Sequence, residues 1–426
     1  MQNEKVMIAY FSGDKQYILG NKNGKNQYFK FDQNGNGEFK SEEFKKGMYL
    51  LVFSAEKNEF IQFLYDENDL NISLDRNSLQ ESIRFKNSLS NTLFFQHVLF
   101  IKKLTVEKNE ILKNLKKGVN DDTISKKMSL LDKKYKQFYK EFTNKYSDNI
   151  AAQFLKASNE VKIPLTYKTQ QERFVYYKAN YFNNMNFNHE WLIRTPFFYK
   201  KIMYYLEKLT TQNPNEINKS VDLIIEKAKD NPELFKYLVT TLLNKYAKSK
   251  MMFGPNIYAH IVKTYYVSGK ANWVEKTQLA QIIENYNNIK NSLLGSKVND
   301  FQLISSTGET SKLYDDKSEY KILYFWNTDY ISSKKLNDHF TTKPQNTKVY
   351  SILKNSNKNH LKNFVTSEKQ LFPPTIISDK DRSLVRKELF LHSYLKVFLL
   401  NKNNVIIGNG ISIKQAFEII NQYSKQ

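Results

Sequence analysis

Through the first 80 residues the apolar positions come in short runs. Val6-Met7-Ile8-Ala9-Tyr10-Phe11, Tyr17-Ile18-Leu19, Gln27-Tyr28-Phe29-Lys30-Phe31, Met48 to Phe53 and Phe60 to Leu64 are β-prone, with turns rich in Gly, Asn and Asp between them. Short strands at this spacing predict a small β-sandwich or barrel over residues 1–80. From about residue 86 the period lengthens. Phe94, Val98 and Ile101 recur at steps of four and three, Phe95 pairs with Leu99, and Leu104 continues the face, which is the spacing of a helix. A lysine-rich stretch from Val106 to Asp148, interrupted at Gly118-Val119-Asn120-Asp121-Asp122, predicts a helical hairpin with solvated lysine faces. Further helices are predicted at 150–158, 170–183, 196–210, 216–229, 232–247, 255–268 and 275–290. Asn213-Pro214 and Asn231-Pro232 fall where helices would begin, and proline is tolerated in a first turn. Residues 86–290 are therefore expected to be all helical.

From about 293 strands and helices alternate. Strands are predicted at Phe301–Ile304, Ile322–Trp326, Lys348–Leu353, Thr375–Ile377, Lys396–Leu400 and Val405–Ile407, and helices at Ser333–Phe340, His360–Phe364, Leu384–Leu389 and Ile413–Tyr423. Such alternation predicts a three-layer α/β domain over 293–426. The expected fold class is thus multidomain α+β, with a β-rich start, a helical middle and an α/β end.

Composition sharpens this in three ways. Phenylalanine (30) and tyrosine (28) are abundant while glycine (13) and proline (8) are scarce, which suits packed domains rather than a disordered or fibrous chain. The net charge of +22 would draw the protein toward nucleic acid, anionic lipid or acidic polymers. Lysine and asparagine are spread along the whole chain, however, and no nucleic-acid-binding motif occurs, so no nucleic-acid partner is expected. A basic scaffold on anionic surfaces remains an alternative reading. No run of about 18 apolar residues exists, so no membrane span is expected. Met1-Gln2-Asn3-Glu4-Lys5 lacks the apolar stretch of a signal peptide, and the numbering is read as starting at a mature N-terminus with an added methionine.

Candidate chemistry is sparse. Asp32, Asn34, Asn36 and Gly37, with Glu43 at the twelfth place, match the calcium loop of an EF-hand. Against that, Gln27 to Phe31 alternates like a strand, Lys40 occupies the ninth place, and Asn34-Gly35 is a strong hairpin signal. A β-hairpin without metal is the expectation. The six histidines, His97, His189, His260, His339, His360 and His392, include no i, i+4 pair and no His-Glu-x-x-His. No phosphate-cradling glycine loop and no Gly-x-Ser-x-Gly elbow occurs, and no cofactor is expected.

The most telling segment is Lys321-Ile322-Leu323-Tyr324-Phe325-Trp326-Asn327-Thr328-Asp329-Tyr330-Ile331-Ser332-Ser333-Lys334. A hydrophobic strand ends in Phe325-Trp326 and a helix-starting segment follows. This resembles the active-site junction of the TlpA-like thioredoxin (redoxin) family of Gram-negative envelope proteins, which carries Trp-Cys-x-x-Cys there. Leu294 to Leu303 resembles the family's entry motif, Gly308 and Leu313 its next turn and strand, and Phe398 to Ile406 its last hairpin. The middle is similar to the helical module that precedes the redoxin domain in one exported subfamily, through Tyr181 to Phe187, Leu192 to Phe197, Lys236-Tyr237-Leu238 and Tyr265-Tyr266. The β-rich start resembles the small domain that opens those proteins.

The resemblance implies a thioredoxin-like fold for residues 293–426, a periplasmic or envelope location, and an envelope protein as partner, with membership of a membrane complex among the arrangements it allows. The departures carry as much weight. The family's two cysteine positions fall on Tyr330 and Ser333, and the chain has no cysteine at all. Disulfide exchange needs a thiolate. The family's proline before the penultimate strand falls on Leu395, where a trans bond is expected. Trp326, Asp329, Tyr330, Ser333 and Leu395 therefore outline a vestigial site, with Asp329 suited to capping the helix that follows and Tyr330 to covering the old pocket. No catalytic residue is assigned. A binding or scaffold protein is the first reading, and a thiol-disulfide oxidoreductase family member by descent is the second.

Overall fold

The run Met48–Phe53 becomes an inner strand of the N-terminal sheet in the computed structural model, which describes residues 5–21, 24–115, 121–327, 344–354, 374–391 and 395–424. The strands are β1 (Met7–Ser12), β2 (Lys15–Ile18), β3 (Lys30–Phe31), β4 (Gly37–Glu38), β5 (Gly47–Ser54), β6 (Glu59–Tyr65), β7 (Asn71–Ser73) and β8 (Arg84–Lys86). Strands β2-β1-β5-β6 form an antiparallel sheet in that order. Alternate residues of β5 point to opposite faces. Tyr49, Leu51 and Phe53 enter one buried cluster, Leu50 and Val52 another. The sequence suggested two stacked sheets. The structure instead has one four-stranded sheet, whose larger core is completed by two ribbons, β3–β4 and β7–β8, and by Phe95. Ribbon strands of two and three residues are too short to form a second sheet. The run Gln27–Phe31 yields only the short β3, with Phe29 N–H donating to the Val6 carbonyl at 2.8 Å.

Helices follow: α1 (Leu79–Ser82), α2 (Leu89–Leu115), α3 (Asp121–Lys145), α4 (Ile150–Ser158), α5 (Gln170–Asn180) and α6 (Phe198–Tyr204). The interruption expected at Gly118 to Asp122 falls where α2 gives way to α3. Helix α2 runs unbroken from Leu89 to Leu115, with no glycine or proline along it. Caps set the other boundaries. Asn149 Oδ1 accepts from Ala151 N–H at the start of α4, and Thr169 with Glu172 makes a capping box on α5. Helix α6 continues as a wider turn through Leu209. Gly47 is required by close approach: a Cβ there would lie 2.6 Å from Arg194 Cβ.

Two helices begin at the anticipated prolines, α7 (Pro214–Glu226) and α8 (Pro232–Ala247). By contacts the chain divides into two compact units, Met1–Thr211 with Ser220–Leu238, and Gln212–Lys219 with Val239–Gln426.

In the second unit, α9 (Gly254–Ile261) and α10 (Lys276–Ile289) precede strands β9 (Gln302–Ser305), β10 (Thr310–Lys312), β11 (Tyr320–Trp326), β12 (Thr347–Leu353), β13 (Pro374–Ile377), β14 (Lys396–Asn401) and β15 (Ile406–Asn409), with α11 (Asp379–Glu388) and α12 (Ile413–Tyr423). The sheet order is β10-β9-β13-β12-β11-β14-β15. β11 pairs parallel with β12, which pairs parallel with β13, while β14 pairs antiparallel with β11 and β15. Period-2 alternation splits β11 between two cores. Ile322, Tyr324 and Trp326 join Ile413, Ala416 and Ile420 of α12 on one face. Leu323 and Phe325 join Val385 of α11 with Leu389 on the other. Helix, sheet, helix is the three-layer arrangement the alternation predicted. The expected helices at 333–340 and 360–364 lie outside the described residues. Helix α9 belongs to this unit through Asn256, whose Nδ2 donates to the Leu294 carbonyl at 2.9 Å and whose Oδ1 accepts from Leu294 N–H at 3.2 Å.

Candidate functional site

Strands β11 and β12 run parallel and in register from Tyr320↔Thr347 to Trp326↔Leu353, so their carboxyl ends finish side by side. That end of a parallel sheet is where α/β folds place ligands. Lys354 N–H donates to the Trp326 carbonyl at 2.9 Å and extends the pairing one step past β12. Antiparallel β14 brings its first residue to the same end, Lys396 opposite Phe325. Trp326, Leu353, Lys354, Leu395 and Lys396 therefore converge.

Trp326 is among the residues by which the resemblance outlines the vestigial site. It is 0% exposed, and its Nε1 donates to Ser351 Oγ at 2.9 Å. Its strand parity turns it into the core, so it holds the site from beneath. Leu395 is 45% exposed and stands at the surface of that end. Asp329, Tyr330 and Ser333 lie outside the described residues.

The sequence reading missed Lys396. Its Nζ donates to the carbonyls of Leu389 and Phe390, at 3.1 and 3.2 Å, at the end of α11. The ammonium lies 5.6 Å from the centre of the Phe390 ring and 5.1 Å from that of Phe398. Burial, then the Lys354 charge, pushes its pKa down to about 8. Lys354 is itself buried, and its pKa is lowered by that burial and by the Arg386 charge. The signal was present as a lysine set in the apolar run Leu395-Lys396-Val397-Phe398-Leu399. The same pattern marks Lys321, fully buried at the start of β11, whose Nζ donates to Asn404 Oδ1 at 2.8 Å. Burial lowers the Lys321 pKa, opposed by the charge of Asp316. Burial pushes Asp316 upward, but hydrogen bonds from Ser318 and from Tyr350 Oη, the latter at 2.6 Å, outweigh it and hold the carboxyl low.

The calcium-like loop is a hairpin. Lys30–Phe31 pairs with Gly37–Glu38. Asp32 turns its carboxylate inward: Oδ1 accepts from the N–H groups of Asn34 and Asn36 at 2.9 and 2.8 Å, and Oδ2 accepts from Asn36 Nδ2 at 3.0 Å. Glu43 is engaged elsewhere, accepting from Gly20 N–H at 3.2 Å. Among the described residues no group of three or more His, Cys, Asp or Glu is arranged to hold a metal, and no helix is long and apolar enough to cross a membrane. His97 lies against the rings of Phe138 and Phe142, with centroids 6.1 and 6.4 Å away, and burial lowers its pKa to about 4. His339, His360 and His392 lie outside the described residues.

Residues 121–292 match a family model described as a domain of unknown function, DUF5106. A comparison with curated proteins finds no match. Among solved structures, the chain is similar to a thioredoxin-like protein from Bacteroides caccae, at 15% identity and a TM-score of 0.46, covering 62% of this chain and 98% of that one. It is also similar to a domain of a possible thiol-disulfide isomerase from Cytophaga hutchinsonii, at 23% identity and a TM-score of 0.27, covering 31% and 94%. The thioredoxin domain of a thiol-disulfide oxidoreductase from Bacteroides vulgatus aligns at 14% identity and a TM-score of 0.27, covering 30% and 96%.

Proposed function

We propose that this chain is a thioredoxin-fold envelope protein of TlpA-like descent that has lost disulfide chemistry and works by binding another envelope protein. One observation carries the reading. The chain has no cysteine, so the junction after Trp326 holds Tyr330 and Ser333 where a redox-active relative would hold its dithiol. Thiol exchange needs a thiolate nucleophile and a second sulfur to close the disulfide. Neither tyrosine nor serine supplies one. Descent from thiol-disulfide oxidoreductases, the activity named for the Bacteroides vulgatus protein, is then a matter of ancestry and not of chemistry.

The fold supports this reading without a catalytic group. Strand β11 ends at the Phe325-Trp326 junction, Gly308 turns β9 into β10, and β14–β15 forms the last hairpin, each at the residues that carry the resemblance. On this reading residues 293–426 are the redoxin-derived domain, 86–290 its helical companion and 1–80 the β-rich opening domain. The end of the sheet offers the exposed Leu395 to an extended segment of the partner, with Trp326 buried at the same end. The protein would act in the periplasm or cell envelope of a Gram-negative bacterium, with no cofactor, no metal and no nucleic acid.

The test is quantitative capture of partners from native envelope by wild-type and Tyr330→Ala protein. An aromatic anchor at an interface contributes about 1–2 kcal/mol or more, so recovery at limiting bait should fall about tenfold. Equal recovery of every specific partner by both proteins would remove this end of the sheet from the interface.

A further inference from the structure

The distal part of the α2–α3 hairpin has little core of its own beyond Ile124, on the first turn of α3. Among residues 102–113 of α2 and 125–137 of α3 none is buried. Leu104, Ile111, Met128 and Leu131 are only half-covered, and Leu130 is 59% exposed. Two helices cannot enclose an apolar stripe; bundles of four do. A groove of about 440 Å³ runs between the helices here, with Ile111, Leu130 and Leu131 among its apolar lining.

The charged residues lining this groove are sorted by helix. Helix α2 contributes Glu107 and Glu110, and α3 contributes Lys127, Lys133 and Lys134. Lys134 Nζ reaches Glu107 at 2.9 Å, so that pair is satisfied within the hairpin. Glu110, Lys127 and Lys133 make no ion pair or hydrogen bond among the described residues. One side of the groove thus carries a free negative charge and the other free positive charges.

We propose that this groove is the docking surface for a second copy of the chain, hairpin on hairpin about a two-fold axis. A two-fold operation lays the acidic side of each groove on the basic side of the other, so one patch answers itself twice. A uniformly acidic helix or an anionic membrane would answer Lys127 and Lys133 but oppose Glu110. A copy of the same groove sets each Glu110 beside the other's lysines and covers Leu130. The uncovered hairpin extends roughly 20 Å along its axis and about two helix widths across. That gives roughly 400 Å² per copy, about 800 Å² in all, short of the roughly 1,000 Å² of a stable specific interface, so the association is weak. The dimer is therefore concentration-dependent. The net charge of +22 opposes association at long range, but at about 0.15 M salt charges are screened beyond roughly 8 Å, and the local pattern decides.

The test is sedimentation of the full chain at about 0.15 M salt over a concentration series reaching about 1 mM, the weak limit of specific association. Wild type should self-associate reversibly. Glu110→Lys alone, and Lys127→Glu with Lys133→Glu alone, should each raise the midpoint about tenfold or more, because each makes both sides of the groove alike in sign. An equimolar mixture of the two variants should associate at least as tightly as wild type. Thermal unfolding of each variant verifies the fold, and exposed charge changes leave it intact. A wild type that stays monomeric throughout, variants that associate like wild type, or a mixture that fails to recover association would each overturn the proposal.

Discussion

Asn91 finishes the N-terminal sheet with one side chain. β6 is an edge strand, and an edge leaves backbone groups without partners. Asn91 is 0% exposed; its Oδ1 accepts from Leu64 N–H at 2.8 Å and its Nδ2 donates to the Leu64 carbonyl at 2.7 Å, as a paired strand would. Replacing it with leucine strands both backbone groups in a dry interior, at about 1–3 kcal/mol each. Urea unfolding of Asn91→Leu should give a free energy of unfolding lower by that amount, through a lower midpoint at unchanged slope; a midpoint near wild type would mean the edge finds other partners. His97 makes a second prediction at this scale. Its folded pKa of about 4 lies below its ordinary 6.5, so between those values the unfolded chain binds the proton more readily. Stability is then fully present above pH 6.5 and declines as pH falls toward 4, by roughly 3 kcal/mol when fully developed. His97→Phe keeps an aromatic against Phe138 and Phe142 and should flatten this part of the stability–pH curve. A curve as steep as wild type would assign the acid sensitivity to other groups.

At the scale of elements, caps and prolines made the helices legible. Asn213-Pro214 and Asn231-Pro232 start α7 and α8 where the sequence placed them, because proline's fixed φ and missing N–H suit only a first turn. β11 was legible from its unbroken apolar run, buried on both faces. The sandwich was not legible as a single sheet, since alternation shows that a strand is half-buried but not whether a helix, ribbon or second sheet covers it. Lys396 was missed for a related reason. Its partners are main-chain carbonyls six and seven residues earlier, and only the turn after α11 brings them to it. That contact makes a prediction with the opposite sense in pH to an ordinary salt bridge. With a folded pKa of about 8 against the ordinary 10.5, the unfolded chain holds the proton more firmly between those values. Stability should rise as pH climbs from about 8 to 10.5, and Lys396→Met should remove that rise. An unchanged slope in the variant would show the ammonium to be well solvated.

For the whole molecule, the loss of redox chemistry that we propose rests on what the sequence lacks, since the chain has no cysteine. The resemblance sets Tyr330 and Ser333 at the cysteine positions and Leu395 at the proline position. Trp326 needed the structure, because parity along β11 decides whether it faces a partner or the core, and it faces the core. The two-unit division also limits how function can be mapped. Helices α9 and α10 group with the sheet of β9–β15 and Phe95 of α2 packs in the core of the first sheet, so removing residues 86–290 would strip both cores. Point changes are the sounder probes. The central claim is that this fold is kept for binding after its redox chemistry was lost. It is tested most directly by insulin reduction in dithiothreitol, run on wild type beside Tyr330→Cys with Ser333→Cys. The account predicts a wild-type rate no faster than dithiothreitol alone, and a double variant that oxidises to an intramolecular disulfide, the Cys-x-x-Cys spacing favouring a thiolate. Wild-type turnover above the dithiothreitol background would contradict it.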